Sequence, residues 1–162
     1  MTDTTPQPAQ APHFTHQETC GNIYMELKQW TLRTKQGHVS IAPGVQFGTG
    51  NSLLPDVVWV SSERMRILLD AAGHLRGAPE LIVEVLDAEA TTAEHEHTDK
   101  RLLYSRQGVC EYWIVDWQAA RVEVYRPAED GTLALYTTLG RGNVLTSPLL
   151  PHFACPVERL FL

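Results

Sequence analysis

The stretch "GAPELIVEVLD", residues 77–87, decides how the chain folds. Leu81, Ile82, Val83, Val85 and Leu86 make a nearly unbroken apolar run, the pattern of a buried strand. Glu84 stands in the middle of it. A lone carboxylate there costs on the order of several kcal/mol to desolvate, so it must be protonated, ion-paired or bound to a cation. An edge position beside an Arg or Lys is the ordinary solution. Ligation of a hard divalent cation such as Mg²⁺, which takes oxygen ligands, is the alternative.

A metal reading needs a second acid, and Asp56 is the candidate. It opens the β-branched and aromatic run "PDVVWVS", residues 55–61. Strand alternation sets Asp56, Val58 and Val60 on one face and Val57 and Trp59 on the other. A turn-forming Pro-Asp explains Asp56 equally well. Two acids on neighbouring strands, about 4.8 Å apart, can share one ion. Lys100, on a helix expected after Glu84, is a cation that phosphodiester hydrolysis would use; a solvated helix face is its ordinary reading.

Outward from these strands, "MTDTTPQPAQAPH" is polar and proline-rich, and a disordered tail is expected over residues 1–12. "FTHQETCGNIYMELKQWTLRTKQG" reads as a helix, with Ile23, Leu27 and Trp30 at helical spacing and Gly37 as its stop. "HVSIAPGVQF" reads as strand then turn, broken at Pro43-Gly44. Residues 63–76 read as a short helix or loop. "TTAEHEHTDKRLLYSRQG" reads as a helix with Thr91 or Thr92 as N-cap, acids in its first turn and Gly108 past its end. "CEYWIVDW" and "RVEVYRP" read as two strands of a hairpin, "LALYTTLG" as one more strand, and the C-terminal tail as a cap. The class is α/β, a mixed β-sheet flanked by helices, in a single domain over 13–162.

Composition narrows the function. No apolar run reaches membrane-spanning length, and the start lacks a secretory leader, so the cytoplasm is expected. A formal net charge of −6 opposes nonspecific adhesion to nucleic acid without excluding a local basic patch. Arg33, Lys35, Arg64, Arg66, Arg101 and Arg106 form such a patch or are ordinary surface charge. Cys20, Cys110 and Cys155 show no C-x-x-C pairing, which leaves reduced, partly buried thiols rather than a zinc cluster. His95 and His97 of "EHEH" project to opposite sides of a helix and do not share an ion easily. Tyr112, Trp113 and Trp117 read as packing rather than a base-stacking platform.

"PDVVWVS", "GAPELIVEVL", "DKRLLYSRQGVCEYWIVD" and "VEVYR" resemble the Uma2 family of endonucleases, an offshoot of the PD-(D/E)xK nuclease superfamily. The pattern from Lys100 through Tyr104 and Gly108-Val109 to Glu111-Tyr112-Trp113 is the most specific part. The resemblance implies a restriction-endonuclease-like core and Mg²⁺- or Mn²⁺-dependent cleavage of DNA that leaves a 5′-phosphate. By the same resemblance Asp56, Glu84 and Lys100 are catalytic, and Asp56, Glu84 and the Val85 carbonyl are the metal ligands. The superfamily's usual lysine position on the strand holds Leu86; Lys100 matches the helix lysine of the Uma2 type. A homodimer is implied as well. His95-Glu96 replaces the Arg-Asp common before that lysine. Family members usually begin with an extra helix and a hairpin bearing a Y-E-L-I-D-G-E-like stretch. Nothing like it precedes His13, so a domain without those N-terminal elements is expected. The competing reading is a catalytically inactive nuclease fold serving as a binding or assembly module.

Overall fold

The structure is a computed structural model. It describes residues 11–48, 50–87 and 93–162, with the side chains of residues 51 and 93–95 left aside. The expected tail lies outside the described residues except for Ala11 and Pro12, and so do both expected N-caps, Thr91 and Thr92.

Helix α1, Phe14–Thr34, starts where the His13 imidazole accepts the Thr15 N–H at 3.1 Å, which satisfies one of the free donors of the first turn. Its buried stripe includes Ile23, Leu27 and Trp30 and continues back through Cys20 to His16. The helix stops at Thr34, short of the expected Gly37: Lys35 turns left-handed (φ 57°) and gives its N–H to the Thr31 carbonyl. Gly37 serves a different end. It sits at φ 69°, and a Cβ there would fall 2.5 Å from the Trp59 indole.

β1 (His38–Ile41) is followed by a separate two-stranded hairpin, β2 (Val45–Phe47) and β3 (Asn51–Leu53), which the sequence reading did not separate out. β4 (Val57–Val60) leads to α2 (Ser62–Leu68), whose Ser61 cap accepts the Arg64 N–H at 3.1 Å. β5 (Leu81–Val85) holds the apolar run around Glu84, and α3 (Ala93–Gln107) follows it. α3 ends at Gly108 (φ 84°), beyond which the Val109 N–H returns to the Tyr104 carbonyl. β6 (Glu111–Asp116) and β7 (Arg121–Pro127) form the expected hairpin, and β8 (Leu133–Gly140) extends it. β9 (Val144–Leu145), β10 (Cys155–Pro156) and a 3-10 helix (Val157–Phe161) close the described chain.

Six strands make one mixed sheet in the order β1-β4-β5-β6-β7-β8. β5 and β6 run parallel, joined by the crossover that carries α3; the other pairings are antiparallel. Strand alternation splits the core in two. Val57, Trp59, Leu81, Val83, Val85 and Trp113 pack under α1 and the C-terminal segment. Val58, Val60, Ile82, Tyr112 and Ile114 pack with Tyr104 of α3 and with the β2–β3 hairpin. β5 is buried along its whole length because both faces are covered. No helix among the described residues is long and apolar enough to cross a membrane.

Candidate active site

The register of β4 on β5 pairs Val57 with Val83. One step further along, it sets Asp56 opposite Glu84, at the point where β4 begins and β5 nears its end. The two strands are thus held by Asp56 itself: its Oδ2 accepts the Val85 N–H at 2.7 Å. The turn-forming reading of Asp56 does not describe this contact.

Glu84 points to the α3 side of the sheet and is buried. Lys100 and Tyr104, one turn apart on α3, reach the same Glu84 oxygen. The Tyr104 hydroxyl donates to Oε1 at 2.8 Å, and the Lys100 ammonium lies 3.5 Å from it. Glu96, four residues before Lys100, lies 3.3 Å from the same ammonium. Burial pushes the Glu84 carboxyl up to about 7, a rise that Lys100 opposes and the charge of Asp56 reinforces. Burial acts to lower the Lys100 pKa, but the charges of Glu84 and Glu96 outweigh it and hold it above its ordinary value.

The α1 side supplies a residue that the sequence reading passed over. His16 is buried; its Nε2 lies 3.1 Å from the Val85 carbonyl, 3.6 Å from Asp56 Oδ2 and 3.5 Å from Asp87 Oδ1. The neighbouring Asp56 carboxylate, then Cys20, raises its pKa well above the usual imidazole range. The Ile23, Leu27 and Trp30 stripe, extended backward at helical spacing, lands on Cys20 and His16. That was the available signal.

These groups line one cleft of about 420 Å³, which takes in His16, Cys20, Asp56, Glu84, Val85 and Lys100 and is rimmed by Ile41 and Leu54. His97, also in its wall, has a buried Nδ1 with no hydrogen-bond partner among the described residues. Burial lowers its pKa. The side chain of His95 lies outside what is described. The three cysteines are free, Cys20 and Cys155 buried and Cys110 half-buried. Tyr112 and Trp113 are core residues, as expected, and half-buried Trp117 stacks on His13 at 4.7 Å.

The open basic patch resolves in part. Arg64 donates to the Ala78 carbonyl and pairs with Glu80, while Arg101 donates to the Leu133 carbonyl at 2.7 Å. Both therefore hold loops and strands together. Arg33, Lys35 and Arg106 are exposed.

The donor chemistry of the cleft suits a hard divalent cation. Two carboxylates and the Val85 carbonyl offer oxygen ligands at one end of the sheet. One of those carboxylates is too deeply buried to ionise easily without added positive charge. The sequence profile of the Uma2 family, described as "Putative restriction endonuclease", matches residues 5–158. The chain belongs to the Uma2 family. The structure of "a putative nuclease belonging to DUF820 from Anabaena variabilis" superposes with a TM-score of 0.75 at 16% identity, over 94% of this chain and 83% of that one. The type IIG restriction endonuclease BpuSI superposes with a TM-score of 0.51 at 12% identity, over 96% of this chain and 17% of that much longer one. No curated protein is similar enough in sequence to count as a relative. The fold is therefore the restriction-endonuclease-like one expected from the Uma2 resemblance.

Part of the Uma2-like pattern has a structural role. Glu111, fully buried, accepts the Trp113 indole N–H at 2.6 Å and the Arg126 Nε–H at 3.1 Å. Within "CEYWIVD" the acid and the indole thus lock β6 to β7, away from the cleft.

Proposed function

We propose that the protein is a metal-dependent endonuclease that hydrolyses phosphodiester bonds in DNA. Asp56, Glu84 and Lys100 are its catalytic residues, and Asp56, Glu84 and the Val85 carbonyl hold Mg²⁺ or Mn²⁺. The observation that carries this reading is the approach of the Lys100 ammonium to Glu84 in the cleft that Asp56 also lines. Membership of the Uma2 family supports it.

The chain's own groups divide the work. Asp56, fixed by the Val85 N–H, lines the cleft. Tyr104 holds Glu84 in one orientation, which keeps the carboxylate aimed without further reorganisation. Lys100 orients the attacking water or offsets charge growing on the phosphate. The ion, when bound, polarises the phosphate and lowers the pKa of a bound water. Cytoplasmic location, a homodimer that cuts both strands, and one domain over 13–162 complete the proposal.

One observation favours the competing reading, an inactive fold used for binding. The His16 Nε2 lies within hydrogen-bond distance, 3.1 Å, of the Val85 carbonyl that the metal would use. Plasmid nicking in Mn²⁺ separates the two readings. Nicking by wild type that is lost in Asp56→Asn, Glu84→Gln and Lys100→Met supports the endonuclease. No nicking by wild type, or equal nicking by all four, overturns it.

A further inference from the structure

His16 and Cys20 stand four residues apart on α1, one turn of helix, so both side chains leave the same face toward the sheet end. Cys20 Sγ lies 3.8 Å from His16 Nδ1. One imidazole nitrogen, Cys20 Sγ and an Asp56 carboxylate oxygen all lie within 4.8 Å of one another. His16 and Cys20 are buried, Asp56 is partly exposed, and the cleft reaches all three. Two of the donors come from a rigid helix, the third from a carboxylate already fixed by a backbone N–H.

This donor set has a different chemistry from the Asp56, Glu84 and Val85 set. Nitrogen, thiolate sulfur and one carboxylate suit a borderline cation such as Zn²⁺, while Mg²⁺ takes oxygen. Tetrahedral Zn²⁺ sets such donors roughly 3.4–3.6 Å apart, so side-chain rotations that close the triangle by about an ångström complete it. Three protein ligands leave one position open to the cleft.

We propose that His16, Cys20 and Asp56 form a second, thiolate-containing site for Zn²⁺ or a like transition-metal ion, sharing Asp56 with the oxygen-ligand site. The consequence for activity rests on the endonuclease reading: Zn²⁺ on the α1 side of Asp56 withdraws that carboxylate from Glu84 and blocks cleavage. The imidazole gives up its proton and the thiol its own on binding, so one Zn²⁺ entering releases protons to solvent. Asp87, 3.5 Å from His16 Nε2, keeps the local field favourable to a cation.

The test uses the full chain and Co²⁺ as a coloured stand-in for Zn²⁺. Wild type is expected to show a thiolate-to-cobalt charge-transfer band in the near ultraviolet, titrating to one ion per chain and erased by Zn²⁺. The band is expected to vanish in Cys20→Ser and to persist in Cys110→Ser and Cys155→Ser. In His16→Ala the affinity is expected to fall by more than the roughly tenfold that losing a ligand's supporting partner costs. Glu84→Gln keeps the band while abolishing cleavage, and Asp56→Asn weakens both, so failure of the zinc site and failure of the endonuclease reading give different results. X-ray absorption at the zinc edge of the wild-type chain serves if Cys20→Ser does not fold; one sulfur at about 2.3 Å is expected. No charge-transfer band in wild type, a band surviving in Cys20→Ser, or a zinc shell without sulfur overturns the proposal.

Discussion

The Tyr104 hydroxyl donates a 2.8 Å hydrogen bond to Glu84 Oε1, from the last turn of α3 to the end of the buried strand β5. Tyr104 is itself fully buried, against Phe47 and Tyr112, so the donor has no freedom to turn elsewhere. This contact joins the core to the cleft. The carboxylate that would bind metal is also the acceptor that fixes α3 on the sheet.

Tyr104→Phe removes the donor and leaves Glu84 with one partner fewer. The expected cost is about 1–3 kcal/mol at pH 8.5, where Glu84 is ionised. At pH 5.5, where Glu84 is protonated, the cost is smaller. Urea unfolding at the two pH values checks it; an equal loss at both contradicts the assigned contact.

Glu84 also shapes the pH dependence of the metal-free protein. Its folded pKa of about 7 stands above its ordinary value of 4.5, so between these the folded state binds more protons than the unfolded. Stability from this group is therefore full below about pH 4.5 and falls as pH rises toward 7, by at most about 3 kcal/mol. Glu84→Gln is expected to flatten the curve across that window and to leave the protein more stable than wild type at pH 8. A wild-type curve that rises from pH 4.5 to 7, with no change in the variant, contradicts it.

Much of this arrangement is legible in the residues alone. The apolar run around Glu84 predicts a buried strand, and the Ile23, Leu27 and Trp30 spacing predicts α1. The short connection between Asp116 and Arg121 predicts the β6–β7 hairpin. Tyr104 falls on the Lys100 face of α3 by simple i+4 spacing, although its bond to Glu84 needs coordinates. Less legible are β2 and β3, each too short to show alternation, and the end of α1, where Lys35 adopts a left-handed turn that glycine usually takes. Helical spacing places His16 on the buried stripe of α1, but its meeting with Asp56, and that of Asp87 with His16, comes only through tertiary packing: a histidine on that stripe carries no local mark of a partner on a strand far along the chain.

The buried carboxylate of Glu111 makes a separate prediction. Burial raises its pKa, while the Trp113 indole and the charge of Arg126 oppose the rise. Arg126 also stacks on Tyr136, its guanidinium 3.9 Å from the ring centroid. Arg126→Met leaves an unpaired acid at full burial and is expected to cost about 3–5 kcal/mol at neutral pH. Replacing Glu111 and Arg126 together by Gln and Met is expected to cost less than the sum of the two single changes, measured by a double-mutant unfolding cycle. Strict additivity contradicts the pair.

Gly37→Ala tests the packing at the end of α1. The left-handed φ and the contact of the added Cβ with the Trp59 ring both act against it, for an expected loss of roughly 2 kcal/mol or more. The thermal midpoint is expected to drop by several degrees, and Gly48→Ala, where nothing lies within 4 Å of the added Cβ, is expected to cost less. Equal losses at the two positions contradict the role given to Trp59.

The central claim is that Asp56 and Glu84 hold one divalent ion between neighbouring strands beside Lys100. A crystal of the protein soaked in Mn²⁺, read by its anomalous signal, tests this most directly. One peak within bonding distance of an oxygen of Asp56, an oxygen of Glu84 and the Val85 carbonyl is predicted, with the His16 imidazole displaced from that carbonyl. No peak in the cleft at saturating Mn²⁺, or a peak that touches neither Asp56 nor Glu84, contradicts the account.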